Sequence, residues 1–149
     1  MKQAAPLLAA AVLVATFSVA VHAQTADRAI KYRQGVLNAM GWHMGVLGGM
    51  AKGTTPYDKD TAARSASFVQ ELSAMPWDGF SPGSDSGAPT KARPEVWKEK
   101  PKFDKLAQDL QVETAKLASA AGTDLAALRG AIGTTGRACT NCHDDFRAK

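Results

Sequence analysis

Near its C-terminal end the chain reads Arg137-Ala138-Cys139-Thr140-Asn141-Cys142-His143-Asp144-Asp145-Phe146-Arg147. This stretch contains the only two cysteines of the 149-residue sequence, and a histidine directly follows the second. Cys-x-x-Cys-His is the attachment pattern of a c-type haem. Residues three apart lie on one face of a helix, so the thiols of Cys139 and Cys142 can reach the two vinyl groups at one porphyrin edge. We therefore predict one covalent haem c, with His143 as an axial ligand of the iron.

Two other uses of paired cysteines fit the sequence less well. A redox dithiol is expected beside a βαβ pattern and has no need of the histidine. A structural zinc site needs four ligands. Besides His143 the chain has only two histidines, His22 and His43, so two cysteines and one or two histidines fall short of the usual set.

Residues 1–23 have the features of a secretory signal peptide. Lys2 supplies a positive start, an apolar run extends from Leu7 to Val21, and Val21-His22-Ala23 is a small-x-small cleavage pattern. The alternative is a membrane anchor, but the apolar run is short for a span of about 20 residues and no polybasic stop follows it. Export agrees with the haem motif, because bacteria attach haem c outside the cytoplasmic membrane. We expect a periplasmic protein without a membrane anchor.

Cleavage after residue 23 leaves residues 24–149, which is 126 of the 149 residues and the size of one ordinary domain. This part has 17 basic and 14 acidic residues, a balance of +3. That charge is too small to indicate a nucleic-acid partner, and no basic stripe with interleaved aromatic residues is present. With both cysteines used by the haem, no disulfide is expected.

The mature chain is predicted to be all-α, as an antiparallel four-helix bundle with covalent haem. Apolar residues recur three or four apart in four segments, and the short connections favour antiparallel neighbours. A longer irregular connection covers residues 77–100, and Gly122 is expected as the C′ residue that ends the third helix. The predicted helices extend from an Asp27 cap to about Ala51, from Asp58 or Asp60 to Met75, from about Phe103 to Ala121, and from Thr123 or Asp124 through the haem motif.

The inward stripe of the first helix supplies candidates for the second face of the iron. A thioether ligand from Met40 would make a low-spin electron carrier with a raised potential, whereas Met on such a stripe is more often core filling. An aliphatic Leu37 would instead block the sixth position and keep the iron five-coordinate. Periodicity does not decide between these two residues. His43 lies roughly 100° from the stripe, which favours an exposed or subunit-contact residue over an iron ligand.

Two arginines and a glutamine are candidates for contacts around the haem. Arg33 lies on the apolar stripe, where a guanidinium needs an anion, and a haem propionate suits its bidentate geometry. Gln34 could donate to the other propionate oxygens. Arg147 lies one helical turn after His143 and so can reach the proximal face. The alternatives are snorkelling to solvent for Arg33 and a helix-dipole contact for Arg147.

The sequence resembles the cytochromes c′, class II c-type cytochromes with the haem motif at the C-terminal end. The resemblance covers essentially the whole mature chain. It rests on four segments: Ala29-Ile30-Lys31-Tyr32-Arg33-Gln34, Leu72-Ser73-Ala74-Met75-Pro76-Trp77, Ala92-Arg93-Pro94-Glu95-Val96-Trp97, and the motif from Cys139 to Arg147.

This resemblance implies roles for several residues. The distal aliphatic position of the family aligns with Leu37, the propionate-contacting pair with Arg33 and Gln34, and the proximal basic residue with Arg147. The residue before Ala-Arg-Pro is acidic in some relatives. Here that segment is Ala88-Pro89-Thr90-Lys91, so Thr90 or Lys91 could touch a propionate.

The resemblance also implies a function. Members are periplasmic, usually homodimeric through their first two helices, and typically have a high-spin, five-coordinate haem. They bind nitric oxide and carbon monoxide, largely exclude oxygen, and are implicated in electron transfer with partners that are often unknown. The alternative is a low-spin electron carrier with Met40 as second axial ligand. An enzyme such as a peroxidase needs a distal His or Arg for proton transfer, so we expect no enzymatic activity.

Overall fold

The computed structural model describes the backbone of residues 7–149 and the side chains of residues 25–149. The predicted signal peptide, residues 1–23, lies outside the residues whose side chains are described and stays a prediction. Within the described part, no helix is long and apolar enough to cross a membrane. The elements are α1 (Leu7–Lys52), α2 (Lys59–Ser73), a 3-10 helix (Pro76–Phe80), the single turn α3 (Glu95–Lys98), α4 (Lys100–Ala120) and α5 (Leu125–Phe146).

Capping residues define three of the helix ends. Gly53 follows α1 with φ of 77°, a left-handed conformation that glycine adopts without strain. The carboxylate of Asp58 accepts a hydrogen bond from the Thr61 amide over 2.8 Å at the start of α2. The carboxylate of Asp124 accepts one from the Ala127 amide, also over 2.8 Å, at the start of α5. Caps of this kind contribute about 1 kcal/mol each.

Two expectations about helix ends were wrong. Asp27 caps nothing, because the preceding residues are helical and its carboxylate pairs with Lys31 over 2.9 Å inside α1. Gly122 is not among the glycines with positive φ, so it does not provide a left-handed stop for α4. A Cβ at Gly122 would lie 2.8 Å from the Cβ of Ala63, so the glycine is needed for the close packing of this turn on α2.

The four long helices form the bundle, in which α1 contacts α2 and α5, and α4 contacts α2 and α5. Their inward faces meet in a core that includes the fully buried side chains of Leu47, Val69, Leu117 and Leu128. Burial of one such aliphatic side chain contributes about 1.5–3 kcal/mol. The predicted four-helix bundle is confirmed.

A second, aromatic cluster closes one end of the bundle. Phe103 of α4 and Phe146 of α5 pack edge to face with ring centroids 5.3 Å apart. The connection between α2 and α4 adds Phe80, whose ring lies 4.9 Å from that of Phe103, and Trp77, at 5.7 Å. The long connection therefore contributes to the core, although its sequence has no helical or strand period.

Candidate haem site

A cavity of about 630 Å³ lies between α1, α5 and the connection between α2 and α4. This volume is within the usual range of about 300–1,000 Å³ for small-molecule sites. The residues predicted from the sequence to form the site all line this cavity: Arg33, Gln34, Leu37, Met40, Thr90, Lys91, Cys139, Cys142, His143 and Arg147. The structure thus brings the candidates together, while the role of each toward a haem remains a prediction.

The two cysteines lie one turn apart on the α5 wall, and without attached haem both are thiols. Burial raises the pKa of both thiols, and that of Cys142 to about 11. Before haem is attached, both are therefore protonated at neutral pH. Among the described residues, no three His, Cys, Asp or Glu side chains come together to hold a metal ion.

The other walls are mainly apolar, as a porphyrin ring requires. Aromatic and aliphatic side chains from the connection, α3, α4 and α5 face the cavity beside the thiols. The paired thiols, the adjacent imidazole and this apolar lining fit a covalent haem. The apolar wall residues are Trp77, Phe80, Val96, Phe103, Leu110 and Phe146.

His143 lies in the last turn of α5, where its imidazole lines the cavity. Burial lowers the pKa of His143, the charge of Arg147 lowers it further, and Asp144 partly offsets both. A lowered pKa favours the neutral imidazole, which is the form that binds a metal. The Arg147 amide also donates a hydrogen bond to the His143 carbonyl over 3.1 Å, so this arginine ends the helix.

Main-chain hydrogen bonds fasten the end of α5 to the long connection. The Arg93 amide donates to the Phe146 carbonyl over 2.9 Å, and the Ala148 amide donates to the Lys91 carbonyl over 2.8 Å. An isolated antiparallel bridge pairs Ala92 with Arg147. These bonds hold Thr90, Lys91 and Arg147 at one rim of the cavity.

Arg33 is buried, with only 2% of its surface exposed, so the snorkelling alternative was wrong. One terminal nitrogen donates to the Gly79 carbonyl over 2.6 Å and to the Ser84 hydroxyl over 2.9 Å. The other donates to the Ser84 carbonyl and to the Thr90 hydroxyl, both over 2.9 Å. These four bonds leave only Nε–H for a further acceptor such as a propionate.

The charge of Arg33 has no carboxylate within hydrogen-bonding distance in the described part of the chain. Burial lowers the pKa of this guanidinium, and the charge of Asp85 partly offsets that effect. The ring of Phe80 adds a cation–π contact at 4.6 Å from the guanidinium carbon. Since buried charges are usually paired, an anion beside Arg33 would be stabilising.

Gln34 and Thr90 lie beside Arg33 and retain donors. The amide nitrogen of Gln34 donates to the Pro89 carbonyl over 2.9 Å, which uses one of its two N–H groups. The Thr90 hydroxyl accepts from Arg33 over 2.9 Å and from the Ala92 amide over 3.1 Å. Its own O–H group is therefore available to donate to an anion in the cavity.

Leu37 and Met40 are on the α1 wall of the cavity, and Met40 is also part of the main core. His43 does not line the cavity, and its ring packs on Phe68 with centroids 4.8 Å apart. The Nδ1 atom of His43 is buried and has no hydrogen-bond partner among the described residues. The structure thus places His43 on the flank of α1.

Asn38 and Gly41 also line the cavity, and the sequence interpretation missed both. They lie four residues after Gln34 and Leu37, respectively, and so on the same helix face. A helical wheel centred on Gln34 and Leu37 would have found them. The apolar stripe follows the more buried side of α1 and therefore does not include these two residues.

Comparison with known proteins identifies the family. A family profile described as Cytochrome C′ matches residues 28–147. The cytochrome c′ of Halomonas halodenitrificans is 38% identical over 129 residues, which cover 83% of this chain and 98% of the relative. The crystal structure of cytochrome c′ from Rubrivivax gelatinosus has a TM-score of 0.77 at 38% identity, over 80% of this chain and 94% of that one.

A third relative was solved with a ligand. It is the nitric oxide complex of a leucine-to-alanine variant of cytochrome c prime from Alcaligenes xylosoxidans, with a TM-score of 0.76 at 37% identity, covering 83% of this chain and 96% of that one. Because the profile spans nearly the whole described domain and the relatives match over almost their full length, this chain belongs to the cytochrome c′ family and binds haem c.

Proposed function

We propose that the protein is a periplasmic haem protein that binds nitric oxide and carbon monoxide at a high-spin, five-coordinate iron and can transfer electrons. The observation that carries the proposal is the composition of the cavity walls. His143 lies on the α5 wall, whereas the α1 wall carries Leu37, which cannot bind iron. The alternative histidine, His43, packs on Phe68 outside the cavity.

When bound, haem supplies an iron with one coordination position that a diatomic molecule can occupy. His143 would hold the iron from α5, and Leu37 on the α1 wall would limit the space for an incoming ligand. Arg147 can influence the proximal side, because it caps α5 next to His143. We expect oxygen to be held poorly, because Asn38, the polar residue next to Leu37 on the cavity wall, is exposed to solvent.

A relative supports gas binding. The variant of the Alcaligenes xylosoxidans protein was solved as its nitric oxide complex, and this chain shares its fold at 37% identity. The extension of nitric oxide binding to this chain is our proposal. We assign no enzymatic activity, because Arg33 has both terminal nitrogens engaged and, among the described residues, His143 is the histidine that lines the cavity.

The second candidate function is that of a low-spin electron carrier with Met40 as the other axial ligand. In its favour, Met40 lines the cavity. Against it, Met40 is only 8% exposed and packs in the main core, as a filling residue would. The absorption spectrum of the purified ferric protein decides between the two. A high-spin spectrum supports the five-coordinate site, whereas a methionine–iron charge-transfer band in the far red would establish the alternative.

We also propose that residues 1–23 are removed during export and that residues 24–149 form the mature periplasmic protein. The apolar run, the cleavage pattern and the need for haem attachment outside the cytoplasm support this processing. N-terminal sequencing of the protein from a periplasmic extract should begin at Gln24. A protein that retains Met1 would contradict the assignment.

A homodimer through α1 and α2 is part of the same proposal. Large apolar side chains are exposed on these helices, with 73% of Trp42, 45% of Tyr32 and 41% of Phe68 accessible. We expect Trp42→Glu to shift sedimentation from dimer toward monomer. Val112→Glu on α4, where Val112 is 53% exposed, is the matched control and should leave the mass unchanged. A monomeric parent protein would refute the dimer.

A further inference from the structure

Gly41 lies where the α1 wall of the haem cavity meets solvent. It lines the cavity together with Leu37 and Asn38, and it is itself exposed. A wall residue that is also exposed lies at an opening. Leu37, the side chain that we propose as the block on ligand entry, lies one turn earlier on the same wall and is half-buried.

Neither backbone conformation nor packing within the chain requires a glycine at this position. Its φ is not positive, and no protein atom lies within 4 Å of a Cβ built on Gly41. Glycine inside a helix costs about 0.5–1 kcal/mol relative to alanine. Gly35, Gly45 and Gly48 of the same helix have similarly open surroundings but do not line the cavity.

The direction in which helical side chains point explains how the missing side chain at Gly41 affects access to Leu37. A side chain on an α-helix leans toward the N-terminus and covers the preceding turn. A side chain at position 41 would therefore lie over Leu37 and close the opening. With glycine there, Leu37 stays accessible from outside.

Other lining residues are exposed as well, Lys91, His143 and Arg147 among them, but each of these carries a long or bulky side chain, whereas Gly41 has none. The aromatic side chains of Phe103 and Phe146 are buried at one end. The rim formed by Thr90 and Arg147 is held by hydrogen bonds to Arg33 and by the bridge to Ala92. The opening at Gly41 is bordered by backbone and by the neutral amide of Asn38, which suits an uncharged ligand.

We propose that Gly41 is the port through which small uncharged ligands reach the Leu37 side of the haem cavity, and that the missing side chain sets the size of ligand admitted. This inference rests on the proposed gas binding. Gly41 and Leu37 then act in sequence, because Gly41 limits entry to the cavity and Leu37 limits access to the final position. The proposal makes Gly41 a specificity-determining residue.

The test compares Gly41→Ala and Gly41→Leu with Gly45→Ala in the haem-loaded protein. Gly45 is a matched control because it lies one turn later, is exposed, has free space around its Cβ and does not line the cavity. Carbon monoxide association with the ferrous protein is measured by stopped flow. We expect it to slow about threefold in Gly41→Ala and tenfold or more in Gly41→Leu, with no change in Gly45→Ala.

A size series strengthens the test. Methyl and tert-butyl isocyanide are added to the same proteins, and Gly41→Leu should discriminate against the larger ligand more strongly than the parent. The thermal midpoint of unfolding should rise in both alanine variants, because alanine favours the helix over glycine. An unchanged absorption spectrum shows that the haem site is intact and that slower binding reflects access.

Two results would refute the proposal that Gly41 is the entry port. One is a Gly41→Leu variant that takes up carbon monoxide at the parent rate. The other is equal slowing in Gly41→Ala and Gly45→Ala, which would indicate a general effect on the helix. If Gly41→Leu does not fold, the alanine pair decides. A parent protein that binds no carbon monoxide would instead refute the proposed function, so the two failures are distinct.

Discussion

The guanidinium of Arg33 donates a hydrogen bond to the hydroxyl of Thr90 over 2.9 Å and so joins two residues 57 positions apart. This bond connects α1 to the end of the long connection, at the rim of the haem cavity. Three further bonds from the same guanidinium reach Gly79 and Ser84. A single buried cation thus fastens α1 to a long connection whose sequence has no helical or strand period.

Arg33→Lys should lower the free energy of unfolding by about 2–3 kcal/mol, because one ammonium group cannot serve acceptors on both sides of a planar fork. Urea denaturation followed by circular dichroism measures the change. Arg129→Lys is the control, since Arg129 is exposed and donates one hydrogen bond, to the Ala51 carbonyl. That substitution should stay within about 0.5 kcal/mol. Equal stabilities of the two variants would contradict the organising role of Arg33.

Leu37→Ala should speed carbon monoxide association with the ferrous protein by about tenfold or more, because it empties the space that a ligand has to enter. Stopped-flow absorbance measures the rate. Leu125→Ala is a useful control, because Leu125 packs on the main core but does not line the cavity. It should cost stability and leave the rate unchanged. An unaltered rate in Leu37→Ala would mean that another residue blocks the site.

Met40→Leu should leave the ferric absorption spectrum unchanged if Met40 only fills the core. The substitution conserves volume, and we expect a loss of less than about 1.5 kcal/mol in the free energy of unfolding. Absorption spectra and denaturation curves of parent and variant give both quantities. A change from a low-spin to a high-spin spectrum in the variant would identify Met40 as an iron ligand.

Gly122→Ala should destabilise the bundle by about 1–3 kcal/mol, because its Cβ would lie 2.8 Å from the Cβ of Ala63. Gly130→Ala on α5 is the opposite case, since a Cβ there would have no atom within 4 Å. It should stabilise by up to about 1 kcal/mol through helix propensity. Urea midpoints of both variants test the pair. Stabilisation by both would show that α2 and the turn can separate at little cost.

Local patterns in the sequence were sufficient to predict much of the fold. The helices follow from apolar spacing, and Asp58 and Asp124 were among the predicted caps, since a cap bonds to an amide only three residues away. The expectation for Asp27 failed because the helix continues on its N-terminal side. The prediction that Gly122 ends the helix in a left-handed conformation was wrong. Glycine is required there by the close approach of Ala63 on α2.

The sequence by itself determined the haem motif, because Cys139, Cys142 and His143 act through spacing within one helical turn. The tertiary structure alone decided how Arg33 is satisfied, since its partners Gly79, Ser84 and Thr90 are 46 to 57 residues away. It also showed that Asn38 and Gly41 lie on the cavity wall, because the position of a wall depends on how α1 is rotated against α5. Periodicity gives the faces of a helix, but only packing against other helices selects the face that borders the cofactor.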